Sequence, residues 1–306
     1  MTINKNFKSL PFCLIAFFLV CSLNVLAQKK HDIFRQEIDK IITASKSDVG
    51  VAIMSLEDKE TFLFNEGHKY PMQSVYKFPL AMAVLDQVDK GKLSLNQKIH
   101  VTKKDLLPKT WSPLREKYPN GEVDIKVSEL IGYAVANSDN NACDLLFRLV
   151  GGPKKVDQYI HSLGIKSIAI ATTEEEMSKA WNAQFTNWCK PRAMLRLLDL
   201  FYKGKNLSKA STNFLMKTMT ETTTGPNKIK GLLPKNTKVA HKTGMSGTNE
   251  LGITAASNDV GIITLPNGEH VAVVIFVANT KLDEKNRDMV MARISKQAYD
   301  YFLAKK

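Results

Sequence analysis

A serine and a lysine three residues apart, Ser74 and Lys77, carry the first chemistry that the sequence suggests. Residues at this spacing share one face of a helix, and the apolar run from Phe78 to Leu85 predicts a buried helix that this pair opens. A serine hydroxyl is a weak nucleophile that needs a base beside it. Burial and nearby positive charge lower the pKa of a lysine, so that it can serve as that base. The alternative is that Ser74 is a plain N-cap.

A second polar group, Ser138-Asp139-Asn140, falls between helices that the apolar patterns predict over 127–136 and 141–150. Three polar residues in a short turn between apolar helices either cap those helices or bind a ligand. Helix capping by Asp139 or Asn140 is the alternative to a binding role.

A third group, Lys242-Thr243-Gly244, ends a strand predicted over 238–243. Its cation and hydroxyl suit a carboxylate, and glycine lets another group approach the backbone closely. An exposed edge strand can also pair with a peptide-like substrate. A charged strand end without a ligand remains the alternative.

These groups occur once each, in the order Ser-x-x-Lys, Ser-Asp-Asn and Lys-Thr-Gly. That ordered set is typical of class A β-lactamases and penicillin-binding proteins, so the sequence resembles the penicillin-recognising serine enzymes. Class A enzymes also carry Glu-x-x-Leu-Asn, which Glu174 matches with Met177 at the Leu position, 36 residues after Ser138. Ser178 stands where that family usually has Asn. A run of three glutamates is otherwise typical of a solvated acidic stretch.

Further matches are similar to the second subclass of class A, which includes extended-spectrum enzymes, and the resemblance covers nearly all of residues 30–305. They are Gln73, Asp144, the run 184–188, Thr224-Gly225-Pro226 and the run 230–234. Two residues depart from that subclass. Lys228 stands where Arg is more usual and lacks the bidentate guanidinium fork, and Met245 replaces a small or hydroxyl residue.

The resemblance implies a serine acyl-enzyme mechanism that hydrolyses penicillins and cephalosporins and gives antibiotic resistance. Ser74 would attack the lactam carbonyl, and either Lys77 or Glu174, through a water, would take its proton. Ser138 would pass a proton to the leaving nitrogen, and Glu174 would activate the water for deacylation. The backbone N–H groups of Ser74 and Met245 would form an oxyanion hole. Substrate binding is implied for Asn140, Lys242, Thr243, Gly244, Met245, Trp111 and Lys228.

Strand patterns near both ends of the chain flank a region whose patterns are mostly helical. They predict an α/β (α+β) fold with an antiparallel five-stranded sheet flanked by terminal helices. The α/β lobe would comprise residues 28–69 and 221–306, and an all-helical lobe residues 70–220. The cleft between the two lobes is the expected active site.

The first 27 residues have the layout of a secretory signal peptide, with Lys5 and Lys8 before an apolar stretch that ends at Ala27. The β-lactamase domain would then span residues 28–306 in a periplasmic or secreted protein. An uncleaved anchor is the alternative. Lipidation at Cys21 is disfavoured because Val20 is bulkier than the residue that such cleavage favours.

The formal net charge of +13 comes from scattered lysines, so a solvated basic surface is expected and no nucleic-acid partner. After signal cleavage only Cys143 and Cys189 remain, and whether they pair is left open. No Cys/His cluster has metal-ligand spacing, so no metal and no cofactor are expected. The expected partners are small β-lactams, with a monomeric chain and no membrane association after cleavage.

Two other functions compete with this interpretation. A D-alanyl-D-alanine peptidase of the cell wall shares the three motifs but would deacylate slowly, and Glu174 and the single-module length argue against it. A non-catalytic exported binding module is disfavoured by the intact nucleophile, base and carboxylate-binding residues.

Overall fold

The computed structural model describes residues 11–305, with side chains from residue 28 onward. Lys5 and Lys8 of the predicted signal peptide therefore lie outside the described residues. The first helix, α1, is Pro11–Ser45. Within the described part of the chain, no helix combines the length and the apolar character needed to cross a bilayer.

A five-stranded antiparallel sheet joins the two ends of the chain, as predicted. Its order is β2-β1-β10-β9-β8, which leaves β8 at one edge beside the helical lobe. Gly268, in the left-handed region at φ +84°, closes the β9–β10 hairpin. The strands are β1 (Asp48–Ser55), β2 (Thr61–Phe64), β8 (Val239–Met245), β9 (Thr254–Thr264) and β10 (His270–Thr280).

The helices α1 and α10 (Glu284–Leu303) pack together on one face of this sheet. On α1, Ile33 is 48% exposed, whereas the next residue, Phe34, is buried. Phe34, Ile38 and Ile42 lie at spacings of four residues, which keep one face of a helix toward the sheet.

The second lobe is mainly helical and also carries two small sheets that the sequence patterns did not indicate. One sheet is the hairpin β4 (Lys98–Val101) and β5 (Val123–Lys126), and the other has the order β3 (Tyr70–Pro71), β7 (Trp188–Cys189), β6 (Ile168–Ala169). The helices are α2 (Lys77–Asp89), α3 (Pro113–Lys117), α4 (Val127–Ala136), α5 (Asn140–Val150), α6 (Pro153–Ser162), α7 (Glu174–Met177), α8 (Pro191–Tyr202) and α9 (Lys209–Thr220).

Helix α2 forms the centre of the helical lobe, with contacts to α4, α5, α6 and α9. Its residues are buried from Lys77 through Asp86 without a break. A helix that is apolar all round is a core helix, so the one cation at its start, Lys77, must find its partners inside the protein.

The two cysteines with described side chains, Cys143 and Cys189, are both free and both buried. They do not pair. Burial raises the pKa of each thiol well above its ordinary value, so neither is a reactive thiolate at neutral pH.

Candidate active site

Ser74 lies in a 3-10 turn, Gln73–Tyr76, directly before α2. The 3-10 turn continues directly into α2, which begins at Lys77, so Ser74 lies just before the long helix rather than in it. Gln73 adopts φ +48° in this turn. Its side-chain amide donates to the Gln184 amide oxygen at 2.9 Å, which ties the turn to the segment that follows α7.

Lys77 is fully buried and directs its ammonium at three acceptors. Its Nζ lies 2.8 Å from the Ser138 carbonyl oxygen, 2.6 Å from Asn140 Oδ1 and 2.9 Å from Glu174 Oε1. An ammonium has three N–H donors, and each has an acceptor here. The buried Lys77 ammonium thus has one charged and two neutral acceptors.

The Ser138 hydroxyl accepts a hydrogen bond from a second buried lysine, Lys242. Lys242 Nζ donates to Ser138 Oγ at 2.9 Å and to the Thr243 carbonyl at 2.8 Å. Burial, followed by the nearby charge of Lys77, holds the pKa of Lys242 well below its ordinary value. Ser138 itself adopts φ +57°, a conformation that non-glycine residues seldom adopt and that is found at functional sites.

In the turn 138–140, Asp139 caps a helix, whereas Asn140 lines the cleft. Asp139 caps α5 by accepting from the Ala142 N–H at 2.8 Å, and it also accepts from Ser112 Oγ and the Leu114 N–H. The capping alternative is therefore right for Asp139. Asn140 instead donates through Nδ2 to Thr110 Oγ1 at 2.6 Å, which leaves its amide facing the cleft.

The three consecutive glutamates have three different environments. They form the single helical turn α7, where the Glu176 carboxylate accepts from the Thr173 N–H in a capping box. Glu175 is exposed and pairs with Lys179 at 3.2 Å. Glu174 alone points inward, with Oε1 3.5 Å from Ser74 Oγ as well as 2.9 Å from Lys77 Nζ.

Asp144, which the sequence offered only as a match without a role, holds α7 in place. Its two carboxylate oxygens accept from the Glu174 N–H at 2.8 Å and the Glu175 N–H at 2.9 Å. Burial, partly offset by those hydrogen bonds, raises the pKa of Asp144 to about 6. The signal that could have revealed this role is an acid one helical turn after Asn140.

Strand β8 brings the Lys-Thr-Gly group against the nucleophile turn. A Cβ on Gly244 would lie 2.5 Å from the Met72 carbonyl oxygen and 3.1 Å from the Ser74 nitrogen, so only glycine fits. The close approach is thus made by the chain's own backbone. Thr243 Oγ1 lies 2.6 Å from Thr224 Oγ1 at the cleft wall, and the Met245 side chain is 49% exposed.

Lys228 and Trp111 both line the cleft. Lys228 is only 3% exposed, and its Nζ lies 2.8 Å from Ser257 Oγ and 3.8 Å from Asp288 Oδ1. Burial lowers the pKa of Lys228. Trp111 is 56% exposed and donates from its indole to the Asn137 carbonyl, so it forms a fixed wall of the entrance.

Except for Lys77 and Lys242, which are fully buried, the predicted residues line one cleft of about 1070 Å³ between the two lobes. Within it a serine hydroxyl stands beside a buried lysine–carboxylate pair, and a second serine stands beside a second lysine. This arrangement defines a serine hydrolase that works through an acyl-enzyme.

The chain belongs to the β-lactamase enzyme family, whose model matches residues 33–302. It is similar to β-lactamase VEB-1 of Pseudomonas aeruginosa, with 44% identity over 98% of this chain and 100% of that protein. Extended-spectrum β-lactamase PER-1 of the same species is 43% identical over 89% of this chain and 88% of that protein.

Solved structures agree with this assignment. A β-lactamase from Chitinophaga pinensis is 56% identical, with a TM-score of 0.86 over 87% of this chain and 98% of that one. The extended-spectrum β-lactamase TLA-1 is 52% identical, with a TM-score of 0.87 over 89% of this chain and 99% of that one. The chain is a class A serine β-lactamase, a hydrolase of β-lactam rings.

Proposed function

We propose that Ser74 is the nucleophile that opens the β-lactam ring. Its Oγ bonds to the lactam carbonyl carbon, the ring C–N bond breaks, and the acyl group remains on Ser74 as an ester. The observation that carries this proposal is the convergence of Lys77 and Glu174 on Ser74, next to Lys242 on Ser138.

Glu174 is the better candidate for the first proton acceptor. Each donor of Lys77 already has an acceptor, so this lysine can take the Ser74 proton only after it loses one of its own. Glu174 Oε1 lies 3.5 Å from Ser74 Oγ, close enough to act directly or through one water. After it has released the Ser74 proton to solvent, the same carboxylate would activate the water that hydrolyses the ester.

Ser138 would return a proton to the ring nitrogen as the C–N bond breaks. The Lys242 ammonium donates to its hydroxyl and would stabilise the alkoxide character that develops as this proton leaves. Lys242, whose pKa burial lowers, is also a suitable source for replacing the proton.

The substrate would be held from both sides of the cleft. Gly244 abuts the Ser74 nitrogen, which supports an oxyanion hole formed by the N–H groups of Ser74 and Met245. Lys77 and Lys242 place two basic groups near the one carboxylate of Glu174, so the site favours an anionic substrate. The other substrate contacts that we propose are the Asn140 amide, the Thr243 hydroxyl, the Lys228 ammonium and the Trp111 ring.

Ser178, in place of the usual Asn, would contribute little to holding the deacylation water. Its hydroxyl donates to the Glu175 carbonyl at 2.7 Å and the residue is exposed. The positioning of this water would then depend on Glu174 itself.

We also propose that the substrates include cephalosporins with bulky side chains. The support is the open cleft and the similarity to PER-1 and TLA-1, which are named extended-spectrum enzymes. The test is hydrolysis of a panel containing a penicillin, a simple cephalosporin, a bulky cephalosporin and a carbapenem. Turnover of penicillin alone would refute the broad spectrum while leaving the nucleophile assignment intact.

We propose that the protein is exported, is cleaved near Gln28 and acts as a monomer without nucleic-acid or membrane partners. The positive segment, the apolar stretch and Ala27 before Gln28 support the cleavage site. N-terminal sequencing of the exported protein should begin near residue 28, and light scattering should give the mass of one chain. A lipid-modified Cys21 would contradict this proposal.

A further inference from the structure

A second concave site lies at the small sheet β3-β7-β6, away from the interlobe cleft. Antiparallel pairing of β7 with β6 brings Lys190 beside Ser167, whose carbonyl accepts from the Lys190 N–H at 3.0 Å. The sheet end, the turn at Gly164 and the start of α8 enclose a hollow of about 420 Å³. We call this hollow the basic cleft.

Four cations and one carboxylate line the basic cleft. The cations are Lys166, Lys190, Arg192 and Arg196, and the carboxylate is Glu66. Arg192 occupies both oxygens of Glu66, with Nη2 2.8 Å from Oε1. Lys190 acts electrostatically on the same Glu66 carboxylate and helps to lower its pKa, after the larger effect of Arg192. Among residues 28–305, Lys166 and Arg196 have no carboxylate partner, and Lys166 reaches only the His161 carbonyl at 3.4 Å.

The backbone holds the cations of the basic cleft together. Arg192 and Arg196 are four residues apart and share one face of α8. Lys190 is the N-cap residue of the same helix, whose N-terminal end adds partial positive charge. The floor contains the buried residues Ile165 and Ala193, which exclude water from one side. Like charges held at a concave surface attract an anion more strongly than the same charges scattered over the protein.

The geometry points to an anion with several oxygens, and we propose that the basic cleft binds a phosphate group. Lys166, Lys190 and Arg196 approach from three different segments, namely the α6–β6 turn, the end of β7 and the second turn of α8. A tetrahedral dianion can accept from all three, whereas a planar carboxylate has only two oxygens. Guanidinium and ammonium groups are also the usual phosphate ligands in proteins. The phosphate could belong to a free small molecule or to a lipid headgroup.

The test compares two double variants with the same net charge. Lys166→Gln/Arg196→Gln removes two unpaired cations of the basic cleft. Lys209→Gln/Arg293→Gln is the control, because both residues are exposed on other helices, α9 and α10. Thermal unfolding is followed while inorganic phosphate replaces chloride at constant ionic strength. We expect saturable stabilisation of the wild type and the control, and at least tenfold weaker phosphate binding in the cleft variant.

A second arm identifies the source of the phosphate. The same proteins are sedimented with vesicles of phosphatidylcholine containing one third phosphatidylglycerol. Cosedimentation that only the cleft variant loses, without saturable binding of inorganic phosphate, would support a lipid headgroup as the ligand. If both double variants lose phosphate or vesicle binding equally, net charge alone explains the effect and the proposal is overturned. The absence of binding to both phosphate and vesicles would also overturn it. β-Lactam hydrolysis should be unchanged in both variants, because none of the four residues lines the interlobe cleft.

Discussion

Glu174 Oε1 is shared between Lys77 and Ser74. It lies 2.9 Å from Lys77 Nζ and 3.5 Å from Ser74 Oγ, and the lysine is fully buried. Breaking a buried ion pair by removing one partner costs roughly 3–5 kcal/mol. The pair therefore fixes the carboxylate beside the nucleophile before any substrate arrives.

Ser74→Ala should abolish turnover, because no other hydroxyl in the cleft lies beside the Lys77–Glu174 pair. We expect kcat to fall by on the order of 10⁵-fold or more, measured with a chromogenic cephalosporin. Ser178→Ala is the matched control in the same cleft, because its hydroxyl bonds the Glu175 carbonyl, and it should remain active. Near-normal hydrolysis by Ser74→Ala would remove the nucleophile assignment.

Gly244→Ala should separate β8 from the nucleophile turn. The added Cβ would lie 2.5 Å from the Met72 carbonyl, and backbone on both sides cannot move independently. Overpacking of this kind costs about 1–3 kcal/mol, and we expect kcat/KM to fall at least tenfold. Gly247→Ala is the control, because nothing lies within 4 Å of its Cβ position. Equal effects of the two substitutions on melting temperature and activity would show that the close approach is unimportant.

Asp144→Asn should loosen α7 and change the pH dependence of stability. Burial raises the pKa of Asp144 to about 6 from 3.8, so the folded state binds a proton that the unfolded state releases. This contribution to stability is present below pH 4 and is lost as the pH rises through about 6, by up to about 3 kcal/mol.

The measurement is the free energy of unfolding of wild type and Asp144→Asn between pH 4 and 7. Relative to the variant, the wild type should become less stable over that interval. Its deacylation rate should nevertheless stay higher near neutral pH, because the carboxylate accepts from two N–H groups. A stability difference that does not vary with pH would contradict the raised pKa.

Lys228→Met should weaken the binding of substrates that carry a carboxylate. Loss of one charge-assisted hydrogen bond costs roughly 1–3 kcal/mol, so we expect KM to rise about tenfold or more with a smaller change in kcat. Lys235→Met, which removes an exposed lysine outside the cleft, should leave KM unchanged. An unaltered KM for Lys228→Met would mean that the Lys228 ammonium contacts only Ser257 and Asp288 and does not bind the substrate.

Periodicity predicted the long elements well because each follows from a local pattern. The helix predicted over 127–136 has those bounds in the structure, and the helix predicted over 141–150 begins one residue earlier, at Asn140. The β4–β5 hairpin was missed although both strands alternate polar and apolar residues, because four residues are too short a pattern to stand out and the strands are mostly exposed. The α7 turn was treated as loop, although Thr173 and Glu176 form a capping-box pattern at its start.

The site could be predicted as a set of residues but not as a geometry. The motifs named Ser74, Lys77 and Ser138, whereas the contact of Lys77 with the Ser138 carbonyl joins segments that no local pattern relates. The left-handed backbone conformation of Ser138 and the hydrogen bonds from α7 to Asp144 likewise depend on tertiary packing. The motifs therefore identified the site residues, whereas the distances between them follow only from the fold.

The central claim is that Glu174, and neither Glu175 nor Glu176, activates the water that releases the product. General-base catalysis contributes roughly 10²–10⁴-fold in rate, and only Glu174 points toward Ser74. The direct measurement is intact-protein mass spectrometry after brief exposure to a β-lactam, with peptide mapping of any adduct. We predict that Glu174→Gln is acylated more slowly than the wild type, because it also lacks the first proton acceptor, but that it accumulates a long-lived acyl adduct on Ser74 because deacylation is slowed further. Glu175→Gln should turn over without such an adduct. A stalled adduct in Glu175→Gln, or none in Glu174→Gln at a normal hydrolysis rate, would contradict the account.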